Sequence, residues 1–420
     1  MPKMEDEASP GEMRVPHRRL FLPSLVVSSF ASGPITVLAA LLLIDIGKTF
    51  GASVGVMGQV NTSYSVAAFI FALLMGVLSV RFKHKSLLLA GLLLMSVSAL
   101  GCFLASNFMV MLVFYSLSGI GYVMVSPMTF AMVGEHCALE KRANAIGWIV
   151  AGGALVYVIG APVIAVMSGL NDWRFPLLGF VIPVLLVSFL LAFLGLPSCS
   201  ANRQASTDMR TYLGSFKEIL VNRSAVACLV GDALRSAAFV AIVLFVTSFI
   251  RQRFLIQTDL ASIVLLGGAL CYALGSLVSG LFVNRFGRKL ITVSTASLSG
   301  IFTVSFVYMP IFGLSVLLIF AASWFFGMVA SAANSLTLEQ VPKLRGTMMS
   351  IDSAVVNLGS ALGTVIGGIA LLFFDYEGLA SALGAMAIVA AIVVSLLAID
   401  PTKTVELLSP NTDETRGENC

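Results

Sequence analysis

Gly76-Val-Leu-Ser-Val-Arg-Phe-Lys-His-Lys85 recurs 204 positions later as Gly280-Leu-Phe-Val-Asn-Arg-Phe-Gly-Arg-Lys289, and this pair of stretches decides the fold. Each is a short basic run between two long apolar blocks, and a fixed offset between such runs marks an internal duplication. The same offset carries Glu135 onto Glu339. Each of these is followed by a basic residue, Arg142 or Arg345, that opens a Gly-rich apolar block. Asp172-Trp-Arg174 and Asp375-Tyr-Glu377 correspond to within one residue. The chain reads as two related halves.

Composition identifies the surroundings of those halves. Hydrophobic residues are 58% of 420 and charged residues 11%, against about 45–50% and 25% in soluble domains. A soluble chain must cover itself with polar groups and cannot hide that much apolar surface. Runs such as 87–104, 175–194 and 379–398 are each about 18–20 residues, the length at which a helix crosses roughly 30 Å of hydrocarbon. Breaks in hydropathy predict six helices near 20–45, 56–80, 86–105, 109–133, 143–168 and 175–196. Six more follow near 224–249, 259–283, 289–309, 314–337, 347–373 and 378–399. The expected fold is an all-α membrane protein of twelve transmembrane helices in two pseudo-symmetric six-helix bundles, 20–196 and 224–399. A polar, basic connector (197–223) joins them, with Met209–Leu220 reading as a surface helix, and tails at 1–19 and 400–420 flank them.

Lys and Arg then orient the spans, because cytoplasmic loops carry the positive excess. Twenty of the 25 fall in segments on the side of the N-terminus, four on the other side, and Arg235 lies within a helix. One missed helix would invert every later loop, so the bias supports the count as well as the orientation. Both termini are expected to be cytoplasmic, in a bacterial inner (plasma) membrane. The first apolar run is too long for a signal-peptide core and is read as a retained helix.

Several chemistries find no support. Six dispersed Cys form no CxxC or disulfide framework, and three distant His suggest no metal site. No phosphate-binding GxxxxGK[ST], HExxH or GxSxG is present, so neither an enzyme nor a bound cofactor is expected. The expected partners are a small-molecule substrate, the lipid bilayer and, as a candidate coupling ion, protons. No nucleic acid is expected, and the chain reads as a monomer.

The loop between helices 8 and 9, with Gly280, Asn284, Arg285, Gly287, Arg288 and Lys289 in place, resembles the cytoplasmic motif of the major facilitator superfamily. Gly76, Arg81, Glu135, Arg142, Glu339 and Arg345 extend the similarity across both halves, and Glu140-Lys-Arg142-Ala-x-Ala145-x-Gly147 resembles that family's loop between helices 4 and 5. The resemblance implies a secondary carrier that rocks one bundle on the other, with the motif residues at a cytoplasmic gate. The drug and metabolite exporters are the similar branch. The motifs are partly degraded: Val80 stands where the family has Asp, Lys83 and His84 replace its second Gly and Arg, and Tyr115 falls where many proton-driven exporters carry a helix-4 Arg.

Ionisable residues inside a span are expensive and therefore functional candidates. Asp232 and Arg235 in helix 7 stand at i,i+3 and can pair. At 1.5 Å per residue they lie roughly 12 and 16 Å into the helix. The pair reads as a substrate anchor, as a carboxylate whose protonation Arg235 gates, or as a mutually neutralised structural pair. Asp352, about 8 Å into helix 11, suits a gate, a helix cap or a cavity, with Asn357 one and a half turns on. Asn61, Tyr64, Tyr115, Tyr122, Tyr272, Trp324 and Asn334 are candidate cavity-lining groups. Ser28-Ser-x-x-Ser32-Gly33-Pro34 predicts a kink in helix 1, and the stripes Gly152, Gly153, Gly160 and Gly359, Gly363, Gly367, Gly368 predict close helix packing. The leading functional reading is efflux of a small organic solute coupled to a proton gradient. A proton symporter or uniporter importing a metabolite is the alternative, and a non-transporting membrane receptor the second.

Overall fold

A computed structural model of the chain describes residues 18–137, 139–197, 216–341 and 344–400, and among them every regular element is helical. Within hydrocarbon a backbone must satisfy its own N–H and C=O groups, so long apolar segments become helices. The spans are α1 (Leu20–Leu41), α2 (Val54–Arg81), α3 (His84–Leu104), α4 (Phe108–His136), α5 (Ala145–Leu170), α6 (Leu177–Gly195), α7 (Arg223–Arg253), α8 (Thr258–Phe286), α9 (Arg288–Val307) and α10 (Phe312–Leu338). One continuous run, Arg345–Leu397, supplies the last two. It turns at Phe374 (φ −135°) and Asp375 (φ 53°), leaving α11 before the turn and α12 after it. The twelve-span architecture stands, although the loop expected between helices 11 and 12 shrinks to two non-helical residues.

The predicted kink in α1 is a complete break. Arg18–Ala31 ends, Ser32 and Gly33 intervene, and Pro34 opens Pro34–Leu41, because proline cannot donate into a continuous ladder. Hydroxyls at the break bond local carbonyls: Ser32 Oγ donates to Ser29 O at 2.7 Å and Thr36 Oγ1 to Gly33 O at 2.7 Å. A Cβ on Gly33 would strike Val156, at the start of a π-helical turn (Val156–Gly160) in α5.

The chain packs as two compact units. The first takes in Met1–Ala52, Ser63–Ser206 and Ile256–Ile263, and the second Ser53–Thr62, Thr207–Leu255 and Val264–Cys420. Inside each unit the same junctions recur. In the first, Gly119 of α4 lies against the Tyr64 carbonyl of α2; in the second, Gly327 of α10 lies against the Tyr272 carbonyl of α8. Trp173 Nε1 donates to Thr49 Oγ1 at 2.8 Å, and 203 residues on, the Tyr376 hydroxyl donates to Gln252 Oε1 at 2.8 Å. Lys85 Nζ reaches Leu196 O at 2.6 Å, and 204 residues on, Lys289 N reaches Asp400 Oδ2 at 3.4 Å. The duplication is thus preserved as contacts as well as letters.

The tail 1–17, the connector 198–215 and the tail 401–420 lie outside the described residues. Of the expected surface helix 209–220, only 216 onward is described; there Lys217 and Glu218 are exposed, and Ile219 is fully buried against Ala225, Leu229, Val341, Met348 and Ile351.

Candidate functional site

The second unit holds a charged cluster in its interior. Asp232 and Arg235 sit one turn apart on α7 with side chains 1% and 9% exposed, and Arg235 Nε donates to Asp232 Oδ1 at 3.1 Å. Thr337 of α10 donates its hydroxyl to the other oxygen, Asp232 Oδ2, at 3.0 Å. Asp352 of α11, 4% exposed, lies within hydrogen-bonding reach of the Asp232 carboxylate. Its Oδ1 is a buried oxygen with no hydrogen-bond donor among the described residues. Tyr272 of α8 is close enough to Arg235 to interact with its charge. A small cavity lined by Cys228, Asp232, Arg235, Thr292 and Thr337 adjoins the pair.

Backbone contact brings these helices together. Gly359 and Gly363 of α11 rest on the Ala233 and Ala237 carbonyls of α7, where any Cβ would collide. Ser236 Oγ bonds Ser360 Oγ at 2.8 Å and Val356 O at 3.1 Å between the same two helices. The glycine stripe does what small residues do between membrane helices, and its consequence is that two aspartates share one buried site.

The other candidates separate by unit. In the first, Tyr64 packs on Tyr115 (centroids 5.9 Å apart) and Tyr122 (6.1 Å), and only Tyr122 is exposed. Asn61, in the second unit, is buried. Tyr272 stacks on Phe239 at 4.6 Å. Trp324 is half-buried, Asn334 exposed, and Asn357 donates to Ser353 O at 2.8 Å. In the basic loops, Gly287 has φ 90° and precedes α9, whereas Lys83, its counterpart, is extended at φ −63°. His84 Nδ1 pairs with Glu135 Oε1 at 2.9 Å. Arg81, Asn284 and Arg285 are exposed, and a Cβ on Gly280 would meet nothing. Glu339 is half-buried at the end of α10. The side-chain surroundings of Gly76, Arg142 and Arg345 lie outside the described residues.

The model of the Major Facilitator Superfamily matches residues 24–254 and 233–417. The chain belongs to this superfamily. An uncharacterized MFS-type transporter of Bacillus subtilis, YwfA, is 21% identical over 84% of the chain and 86% of its own length. A probable sugar efflux transporter of Helicobacter pylori is 25% identical over 88% of the chain and 93% of its own. Among solved structures, the nucleoside transporter NupG superposes with TM-score 0.74 at 14% identity, covering 89% of this chain and 99% of that one. A D-xylose–proton symporter superposes with TM-score 0.74 at 14% identity, covering 91% and 98%. The protein is a multi-pass integral membrane transporter of the major facilitator fold.

Two residues with structural roles, Thr337 and Asp400, are not singled out by the sequence. Thr337 is one hydroxyl in an apolar span, where Thr ordinarily bonds its own helix, and nothing in its spacing marks it. By sequence Asp400 opens the polar C-terminal tail, yet its Oδ2 accepts from the Arg288 and Lys289 amides at 3.1 and 3.4 Å. The 204-residue offset from Leu196 was the available signal.

Proposed function

We propose that this transporter is a secondary active carrier that exports a small organic solute in exchange for protons, with the Asp232–Arg235 pair and Asp352 as its coupling centre. The observation that carries the proposal is a buried, hydrogen-bonded ion pair with a second carboxylate beside it, inside spans that must be desolvated to form. Such groups are costly in a membrane and are retained where ions or solutes pass. The solute class to test first is sugars and similar polyhydroxylated compounds. It is supported by the relatives named as probable sugar efflux transporters, and by the neutral character of the more accessible candidates: Tyr122, Trp324, Asn334 and Asn357. Aromatic faces and amides suit hydroxylated rings, while Asp232 and Arg235 are occupied with each other.

In this reading the bundles 20–196 and 224–399 rock about the solute, and the loops carrying Arg81, Glu135, Asn284, Arg285, Arg288 and Glu339 form the gate contacts. The chain works as a monomer in a bacterial inner membrane with both termini cytoplasmic, as the twenty-to-four distribution of Lys and Arg favours.

The test uses inverted membrane vesicles carrying an imposed proton gradient. A panel of radiolabelled mono- and disaccharides is offered, and gradient-driven uptake of at least one is expected. Asp232→Asn should abolish that uptake and leave solute exchange intact. Uptake that Asp232→Asn leaves unchanged would overturn the role of the cluster, and accumulation in intact cells in place of depletion would turn the direction to import.

A further inference from the structure

Resting on the proton-coupled reading above, we propose that Asp352 is the group that carries the proton, shared as a single proton between the Asp352 and Asp232 carboxyls. Among the described residues, the charged and titratable groups facing this point are few. Asp232, Arg235 and Cys228 come from α7, Tyr272 from α8, and Asp352 itself from α11, with Thr337 of α10 as a neutral donor. Lys289, at the start of α9, acts on Cys228. With both aspartates ionised, Arg235 balances one, and the other remains as an uncompensated charge in a desolvated site. That arrangement costs several kcal/mol. One proton removes it.

Hydrogen bonding decides where the proton sits. Asp232 accepts from Arg235 on one oxygen and from Thr337 on the other, so its anion is well supplied with donors. Asp352 has an oxygen without any donor, and its neighbouring polar group, Asp232, can only accept. Two carboxylates in hydrogen-bonding reach are bonded only if a proton lies between them. The Asp352 hydroxyl then donates to Asp232, which has lone pairs to spare. The undonated Oδ1 becomes the carbonyl oxygen of a neutral acid, which tolerates isolation better than a carboxylate does. The step is a simple protonation: Asp352 takes a proton from water on one side and returns it to water on the other.

The location gives the proton a mechanical consequence. Asp232 and Asp352 belong to α7 and α11, the helices whose backbones touch at Gly359 and Gly363. When protonated, the pair ties the two helices together. When deprotonated, it places two like charges between them and loosens that contact. Coupling is therefore built inside the second unit, at the contact between α7 and α11.

Proton occupancy is read directly by infrared pH-difference spectroscopy of the detergent-solubilised full-length protein, with no solute added. Wild type should show one buried protonated-carboxyl C=O band that titrates away at high pH. Asp352→Asn should lose that band, and Asp352→Glu should shift it. Arg235→Gln should gain a second band at neutral pH, because both carboxyls must then be neutral, and it serves as the check if Asp352→Asn fails to fold. Absence of the band in wild type, or its persistence unchanged in both Asp352 variants, overturns the proposal. Because no solute is needed, a chain that carries no sugar still passes or fails this test. A carrier that couples through another group would show gradient-driven uptake with no such band.

Discussion

The two halves have the same helices, the same crossing contacts and the same loop position, but the second carries charge where the first does not. At the 204-residue offset, Asp232 and Arg235 fall on Ser28 and Ala31, and Asp352 falls on Trp148. Ser28 is fully buried and accepts a hydrogen bond from Ser188 at 3.1 Å, so the first half closes its interior with hydroxyls. The loop motifs differ in parallel. The second copy uses Gly287 at φ 90°, where a side chain is strained, and the first uses Lys83 in an extended conformation open to any residue. Where helices 3 and 6 of each half meet, the same junction is made with opposite polarity. Lys85 donates to the terminal carbonyls of α6, whereas Asp400 accepts from the first amides of α9. Either charge complements the helix dipole it faces. Duplication thus preserved the scaffold and left each half free to choose its own chemistry.

Transplanting charge should break the comparison most severely. Ser28→Asp places an unpaired carboxylate at a site without an arginine, at a cost of several kcal/mol. The variant should not accumulate as folded protein in the membrane, and Ser28→Asp combined with Ala31→Arg should recover part of the yield on gel filtration. Exchanging the loop residues tests the backbone difference. Gly287→Lys should lower the thermal midpoint by the equivalent of about 1–2 kcal/mol, the cost of a left-handed non-glycine residue, while Lys83→Gly should cost about 1 kcal/mol or less. Equal effects would mean that the turns are interchangeable.

The inverted junction comes next. Asp400→Ala removes the cap of α9 and should cost about 0.5–2 kcal/mol, and Lys85→Ala somewhat less, about 0.3–1 kcal/mol, both read from unfolding in detergent. The smallest effect is expected from His84→Gln. His84 pairs with Glu135, which is 40% exposed, and exposed pairs contribute about 1 kcal/mol or less. A larger loss there would give the first loop an importance that its geometry does not suggest.

Much of this architecture is legible in the residues alone. The twelve spans followed from run length, and the break at Gly33-Pro34 followed from proline chemistry. The glycine stripe of α11 was legible as a packing surface because only small residues let helix backbones touch. The pairing of Asp232 with Arg235 followed from i,i+3 spacing within one helix. Beyond one helix, legibility stopped. That Asp352 meets Asp232 depends on the crossing of α7 and α11, and two residues 120 positions apart have no periodicity that links them. Thr337 could not be told from any other membrane threonine. Asp400 looked like the start of a polar tail until the end of α12 delivered it to the start of α9.

The sequence by itself determined class and construction, since hydropathy, charge bias and a fixed offset are one-dimensional quantities set by the bilayer and by duplication. Only the tertiary structure decided which further carboxyl joins the Asp232–Arg235 pair. That outcome depends on contacts made between helices, such as the 3.0 Å hydrogen bond from Thr337 to Asp232, and it gathers an arginine and two aspartates into one buried site.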